Sequence, residues 1–327
     1  MTQAEKSLEM AGGHAAVEHA TGGQAAGGAG AYRWVAQRCP VCDLEPTKYV
    51  GRRGGAAHRA GLGVECHIWR CGKCDLIFPN PMPVPVGGMN QHYSGEADDY
   101  FKNHDSDVKE DIYLTLIRQG EALVGGKGRL LDIGAGRGEF LRVAQREGWT
   151  TTGIEPSDSF AAYAERYTGA EIRRQPVEEC GFAPASFDLV NLGGVLEHLY
   201  NPDETIREIA RVLRPGGALF VDVPNEMGLY FRVGNLYQKL RLRRWSVNLS
   251  PTFDPYHVFG FNAKSLRALL AKHELRVAEL RFYSGGSVLP ALGGMTGALE
   301  QWASDLILKA SRRGGLGLQV EAWAVKT

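Results

Sequence analysis

The run Arg129-Leu130-Leu131-Asp132-Ile133-Gly134-Ala135-Gly136-Arg137-Gly138 constrains the fold of this chain more than any other feature. Its apolar start reads as a buried strand, its glycines as a positive-φ turn, and Glu139–Glu147 as the helix that follows. A strand that feeds a helix through so tight a turn belongs to a parallel sheet. The alternation continues downstream. Thr151–Glu155 and Phe187–Leu192 read as strands around a helix at Phe160–Tyr167. Asn201-Pro202-Asp203-Glu204 starts another helix, with Ile206, Ile209, Ala210 and Leu213 as its buried stripe. Arg214-Pro215-Gly216-Gly217 is expected to end that helix before a strand at Ala218–Val223. The implied class is α/β, a doubly wound sheet whose ligand sits at the carboxyl ends of the strands, where the topology switches. Residues 107–123 and Ser265–His273 read as helices, Leu275–Tyr283 and Leu316–Val325 as strands. A further helix carrying Leu292, Met295, Leu299, Trp302 and Leu306 is expected to pack into the core.

The glycine spacing says what the loop holds. A dinucleotide site places its third glycine later than Gly138 stands here, and Asp132 would set like charge beside a pyrophosphate. A cationic ligand suits that acid better. Glu155 closes the next strand, where an acid accepts hydrogen bonds from ribose hydroxyls. An adenosine with a positively charged end in place of phosphates is S-adenosylmethionine.

Leu131-Asp132-Ile133-Gly134-Ala135-Gly136-Arg137-Gly138 resembles the first motif of class I S-adenosylmethionine-dependent methyltransferases. Gly153-Ile154-Glu155-Pro156, Ser186-Phe187-Asp188-Leu189-Val190, Val195-Leu196-Glu197-His198-Leu199 and Leu213-Arg214-Pro215-Gly216-Gly217 follow in that family's order. Within the class, the chain is similar to the ubiquinone-biosynthesis O-methyltransferase-like group. The resemblance implies a Rossmann-like methyltransferase sheet, with Gly134 and Gly136 against the homocysteine part of the cofactor. It also implies Asp132 near the amino group, Glu155 on the ribose, Val177 and Glu178 bordering the adenine, and Leu192 and Gly193 lining the site. Many relatives carry Asp where Pro176 stands, so backbone N–H of Val177 or Glu178 would replace that contact.

Methyl transfer to a hydroxyl needs an aligned acceptor and a base, most often a histidine. His198 and His257 are the candidates, set against the plainer readings of a helix cap and a turn residue. Some ubiquinone-type relatives hold a divalent ion with a Glu-x-x-Glu-His arrangement. Gly194 replaces its first acid here, which argues against a second metal built from Glu197, His198, Asp254 and His257. Residues 225–260 are expected to form a lid over the acceptor. Their basic run, Lys239–Trp245, reads as a solvated helix face or as a grip on an anionic acceptor.

Cys39-Pro40-Val41-Cys42 and Cys71-Gly72-Lys73-Cys74 flank two expected strands, Thr47–Arg52 and Val64–Arg70. Two such pairs converge on one tetrahedral ion, and four thiolates leave no open position, so a structural zinc in a ribbon-like module is expected. The implied organisation is an Ala/Gly-rich disordered tail (1–30), a zinc-ribbon-like module (31–78), a proline-rich linker (79–91) and a methyltransferase domain (92–327). Lysine plus arginine and aspartate plus glutamate both number 37, so no global field attracts nucleic acid or membrane. No apolar run approaches a membrane span and no leader is evident, which sets a cytoplasmic expectation. The expected activity is methylation of a small-molecule hydroxyl, with RNA or protein methylation and a non-catalytic cofactor sensor as alternatives. The oligomeric state stays open between monomer and homodimer.

Overall fold

The computed structural model describes residues 29–87, 106–284, 294–311 and 315–327. Most of the expected tail, residues 88–91 of the expected linker and Leu292 lie outside the described residues. The N-terminal part comprises β1 (Tyr32–Val35), β2 (Lys48–Arg53), β3 (Cys66–Arg70), β4 (Ile77–Pro79) and β5 (Met82–Pro85). Strands β2, β3 and β4 form an antiparallel sheet in that order, and β5 returns to pair with β1. Residues 82–85 are therefore half of a ribbon rather than a free connector. Their prolines alternate with Met82 and Val84, which keep their N–H groups, and a two-stranded ribbon tolerates that.

The larger part runs α1 (Ser106–Val124), β6 (Arg129–Ile133), α2 (Glu139–Arg146), β7 (Thr150–Ile154), α3 (Asp158–Thr168), β8 (Glu171–Arg173) and β9 (Phe187–Gly193). It continues through α4 (Pro202–Val212), β10 (Leu213–Pro224), α5 (Leu229–Leu240), α6 (Ala263–Lys272), β11 (Leu275–Tyr283), α7 (Gly294–Ser311) and β12 (Gln319–Lys326). The strands form one sheet in the order β11-β12-β10-β9-β6-β7-β8, parallel from β10 to β8, with β12 antiparallel to both its neighbours. The chain travels outward from β6 to β8, then returns to β9 on the other side of β6. The α/β doubly wound class read from the sequence is the observed one, and its switch point lies between β6 and β9.

Two elements differ from expectation. Helix α4 stops at Val212, and Arg214-Pro215-Gly216-Gly217 lies inside β10, where the register with β9 jumps between Leu213 and Ala218. The proline and glycines make a bulge in a strand rather than a helix terminator. On α7, Trp302 and Leu306 are exposed, and the buried face instead runs through Leu308 and Ser311. No helix among the described residues is long and apolar enough to cross a membrane.

One core joins the two parts. Leu131, Val190, Leu192, Leu219 and Val221 of the sheet share it with Phe259, Phe261, Leu266 and Leu269, and with Cys39, Cys71, Cys74, Phe78 and Met82 of the N-terminal part.

Candidate active site

The parallel register of β6 and β9 sets Asp132 beside Asn191. Asn191 Nδ2 donates to Asp132 Oδ1 at 2.6 Å, and burial pushes the Asp132 carboxyl up to about 7 despite that bond. Past Asp132 the chain turns through Gly134, at φ 77°, where a Cβ would meet Val195 Cγ2 at 2.5 Å. Gly138, at φ 81°, starts α2 and leaves room for Thr168 and Ala164 of α3. On the neighbouring strand end, Glu155 fastens the loop: Oε2 accepts from Gly136 N and Oε1 from Ser157 N, each at 2.9 Å. Burial raises the Glu155 pKa, and these two bonds oppose the rise.

Val177 and Glu178 lie in a single helical turn after β8. Val177 is buried, and the Glu178 carboxylate accepts from Thr205 Oγ1 on α4. At the end of β9, Leu192 is fully buried in the core while Gly193 is exposed, so open space meets the glycine and not the leucine side chain.

Gly194 N donates to Asp222 O at 3.0 Å, and Val195 then lies over the glycine loop. Leu196–His198 makes one turn that carries Glu197 inward. The Glu197 carbonyl accepts from Val258 N and Phe259 N, at 2.9 and 3.1 Å, and so draws His257 to this strand end. The His198 and His257 rings meet edge to face, with centroids 4.8 Å apart, and each Nε2 lies 3.9 Å from Glu197 Oε1. Three possible ligand or base groups thus share one spot. Asp254 is exposed and outside that group. Glu197 Oε2 and Asp222 Oδ1 are buried with no hydrogen-bond partner. Burial pushes Glu197 up to about 8 and Asp222 up to about 7. The same burial pushes His198 down to about 4 and holds His257 well below the usual imidazole range. Near pH 7 both imidazoles are neutral proton acceptors beside a protonated acid.

Sequence reading named Glu197 only as a cap or part of an ion site, and it missed Asn191. Asn191 becomes visible only when the register of two distant strands is known. Lys239–Arg244 is exposed at the end of α5 and just beyond it.

In the N-terminal part, Asp43 N donates to Cys39 O and Asp75 N to Cys71 O, closing two similar knuckles with Asp43 and Asp75 at positive φ. The four Sγ atoms lie within 4.8 Å of one another, and Cys39 and Cys74 are 3.5 Å apart.

The family model described as "Methyltransferase domain" matches residues 107–280, more than half of the chain. This chain belongs to that methyltransferase family. A protein of Mycolicibacterium smegmatis described as "Probable S-adenosylmethionine-dependent methyltransferase" is 26% identical over 249 residues, covering 72% of this chain and 86% of its own length. The ubiquinone biosynthesis O-methyltransferase of Sodalis glossinidius is 29% identical over 171 residues, covering 49% and 68%. Its counterpart in Hahella chejuensis is 34% identical over 120 residues, and the match spans 50% of that protein. A solved SAM-dependent methyltransferase from Archaeoglobus fulgidus superposes on 70% of this chain and 97% of its own, with 19% identity and a TM-score of 0.47. The protein is an S-adenosylmethionine-dependent methyltransferase, and its residues fit that cofactor. Gly134, at φ 77°, makes the tight turn directly after the strand that carries the buried acid Asp132. Glu155 keeps unused lone pairs for hydroxyl donors.

Proposed function

We propose that this methyltransferase acts on a hydroxyl oxygen of a small molecule, and that zinc holds its cysteine module. The cluster of Glu197, His198 and His257 carries the reading. An amine acceptor uses a free lone pair, whereas a hydroxyl must lose a proton, and two neutral imidazoles at the end of β9 are built to take one. The bound cofactor supplies an activated methyl group on a sulfonium. Asp132 and Glu155 orient its amino acid and ribose parts, and the glycine loop admits it closely. His198 or His257 accepts the acceptor's proton at Nε2, and above about pH 8, where Glu197 is already ionised, its carboxylate 3.9 Å away stabilises the imidazolium. The three groups titrate together, so a pH profile reports the cluster rather than one residue. The relatives described as ubiquinone biosynthesis O-methyltransferases support the same reading.

Zinc is supported by the sulfur geometry. Four thiolates about 2.3 Å from a tetrahedral ion stand roughly 3.8 Å apart, close to the spacing of these cysteines.

The test is transfer of isotope-labelled methyl to matched phenols, sugars and amines, with the product atom identified by mass spectrometry. We expect label on oxygen. His198→Ala and His257→Ala are expected to leave S-adenosylhomocysteine affinity intact, and loss of the true base lowers kcat by about 10²- to 10⁴-fold. Label confined to nitrogen, or full activity in both variants, refutes the reading.

A further inference from the structure

Arg53 closes β2 and turns into the segment that carries His257. Its Nε donates to Leu249 O at 2.9 Å, and its guanidinium carbon lies 5.0 Å from the centre of the Phe253 ring. His58 packs against the same ring, its centroid 4.7 Å from that of Phe253. Among the described residues Arg53 has no carboxylate at ion-pair distance, and its two terminal nitrogens have no hydrogen-bond partner. Neither nitrogen belongs to the polar atoms that are sealed from solvent without a partner. The guanidinium is therefore partly buried, with terminal nitrogens that are not sealed from solvent. Burial pushes it down to about 10, with the charge of Glu226 acting the other way, so it stays cationic at neutral pH. Glu226 acts on it from beyond ion-pair distance, and its carboxyl accepts from Asn248 Nδ2.

Position gives this unpaired cation its meaning. Leu249, whose carbonyl holds Arg53, precedes Ser250. Ser250 N donates to His257 O at 3.2 Å, and Ser250 Oγ accepts from His257 N at 3.1 Å. Arg53 and His257 thus hang on the same short loop. The N-terminal module closes over that loop, because Thr252 Oγ1 accepts from Val64 N and donates to Val64 O, both at 2.9 Å. A planar guanidinium fork matches two adjacent oxygens of an anionic group and holds them in a fixed direction.

We propose that Arg53 anchors an anionic group of the acceptor, which is then a small molecule carrying a hydroxyl together with a carboxylate or a phosphate. This deepens the hydroxyl-methylation reading and rests on it. The module supplies the anchor, and the methyltransferase domain supplies the base and the cofactor.

The test is calorimetric binding to the full-length zinc-loaded protein saturated with S-adenosylhomocysteine. The probes are two matched pairs, 3,4-dihydroxybenzoate against catechol and phenyl phosphate against phenol. We expect the anionic member of one pair to bind at least about 10-fold more tightly than its neutral partner. That advantage is lost in Arg53→Gln and partly kept in Arg53→Lys, and the responding pair separates carboxylate from phosphate. Unchanged S-adenosylhomocysteine affinity certifies that both variants are folded. Equal or absent binding of the anionic members, or an advantage that survives in Arg53→Gln, overturns the proposal. Arg53-dependent binding without methylation of any hydroxyl would count against the hydroxyl reading and leave the anchor standing. Methylation of 3,4-dihydroxybenzoate by Arg53→Gln at the wild-type rate would do the reverse.

Discussion

Glu155→Gln separates the two tasks of that side chain. In the folded protein two backbone donors face its carboxylate, Gly136 N on one oxygen and Ser157 N on the other. Glutamine has the same length but only one acceptor. Whichever way its amide turns, an NH₂ group confronts an N–H, and one partly buried donor loses its bond. That costs about 1–2 kcal/mol. Burial already raises the Glu155 pKa, so removing the charge recovers part of a desolvation cost and favours the lower figure. With a urea slope of about 3 kcal/mol/M for a domain of this size, the unfolding midpoint should fall by roughly 0.3–0.7 M. The second, proposed task is the ribose contact. Replacing a charged acceptor by an amide there, while the glycine loop loses one tether, should weaken S-adenosylhomocysteine by about 10- to 100-fold. Urea denaturation and isothermal calorimetry on one preparation read both effects. A variant that unfolds with the wild-type midpoint and binds the ligand unchanged would refute the reasoning, since the carboxylate would then neither fasten the loop nor meet the ligand. A shifted midpoint with unchanged affinity would leave it a purely structural clamp.

Two further outcomes follow from the same geometry. The Asp132 carboxyl, pushed up to about 7, keeps a proton in the folded protein that the unfolded chain releases near 4, so its charge weakens the unliganded fold progressively as pH rises from about 4 to about 7. A cationic amino group needs that charge, so S-adenosylhomocysteine affinity should fall by up to about tenfold per pH unit below 7 and level off above it; calorimetry across that range should find Asp132→Asn weak and flat. Elemental analysis should find one zinc per chain. Cys71→Ser, at a fully buried position, should lose the metal and lower the thermal midpoint, and full stability without metal would contradict a structural zinc.

The parallel sheet was legible because its strands are short apolar runs with turn signals between them, and because β6 passes into α2 through glycines that only a close ligand or a sharp turn demands. The two CxxC pairs were equally plain, since local spacing alone makes each knuckle. What failed had a common cause. Pro215-Gly216-Gly217 terminates a helix in local terms, yet the pairing of β10 with β9 keeps the residues as a bulge. The prolines of residues 81–85 look like a spacer until Tyr32–Val35 is found beside them. Leu306 has helical spacing, but the face of α7 that packs inward is fixed by tertiary contacts that spacing does not encode. The site divides in the same way. Asp132, Gly134 and Glu155 sit in one local motif. By contrast, Asn191, Glu197 with His257, and above all Arg53 gain their meaning from chain segments far apart in sequence.

That division explains how the two halves of the molecule share the work. The cofactor side is built within β6, β7 and the turns after them, and its geometry survives as long as the sheet does. The acceptor side has no such internal support. Residues 244–262 contain no helix or strand of their own, and they are held by hydrogen bonds to neighbours on both sides. From the sheet, Glu197 O takes Val258 N and Phe259 N. From the module, Arg52 N donates to Arg244 O and Ser246 N to Arg52 O, while Ile77 and Gly260 exchange backbone bonds and Asn262 Nδ2 donates to Asp75 O. Asp75 follows directly on Cys74, so the cysteine knuckle is one residue from the cap of α6. Phe78 of the module and Phe259 of the segment are in ring contact within the shared core, 5.8 Å between centroids. A loop fixed in this way cannot keep His257 beside His198 if the module loosens. On the proposed reading, the small cysteine-bearing part is a wall of the acceptor site, and what binds the four thiols also sets the position of the base.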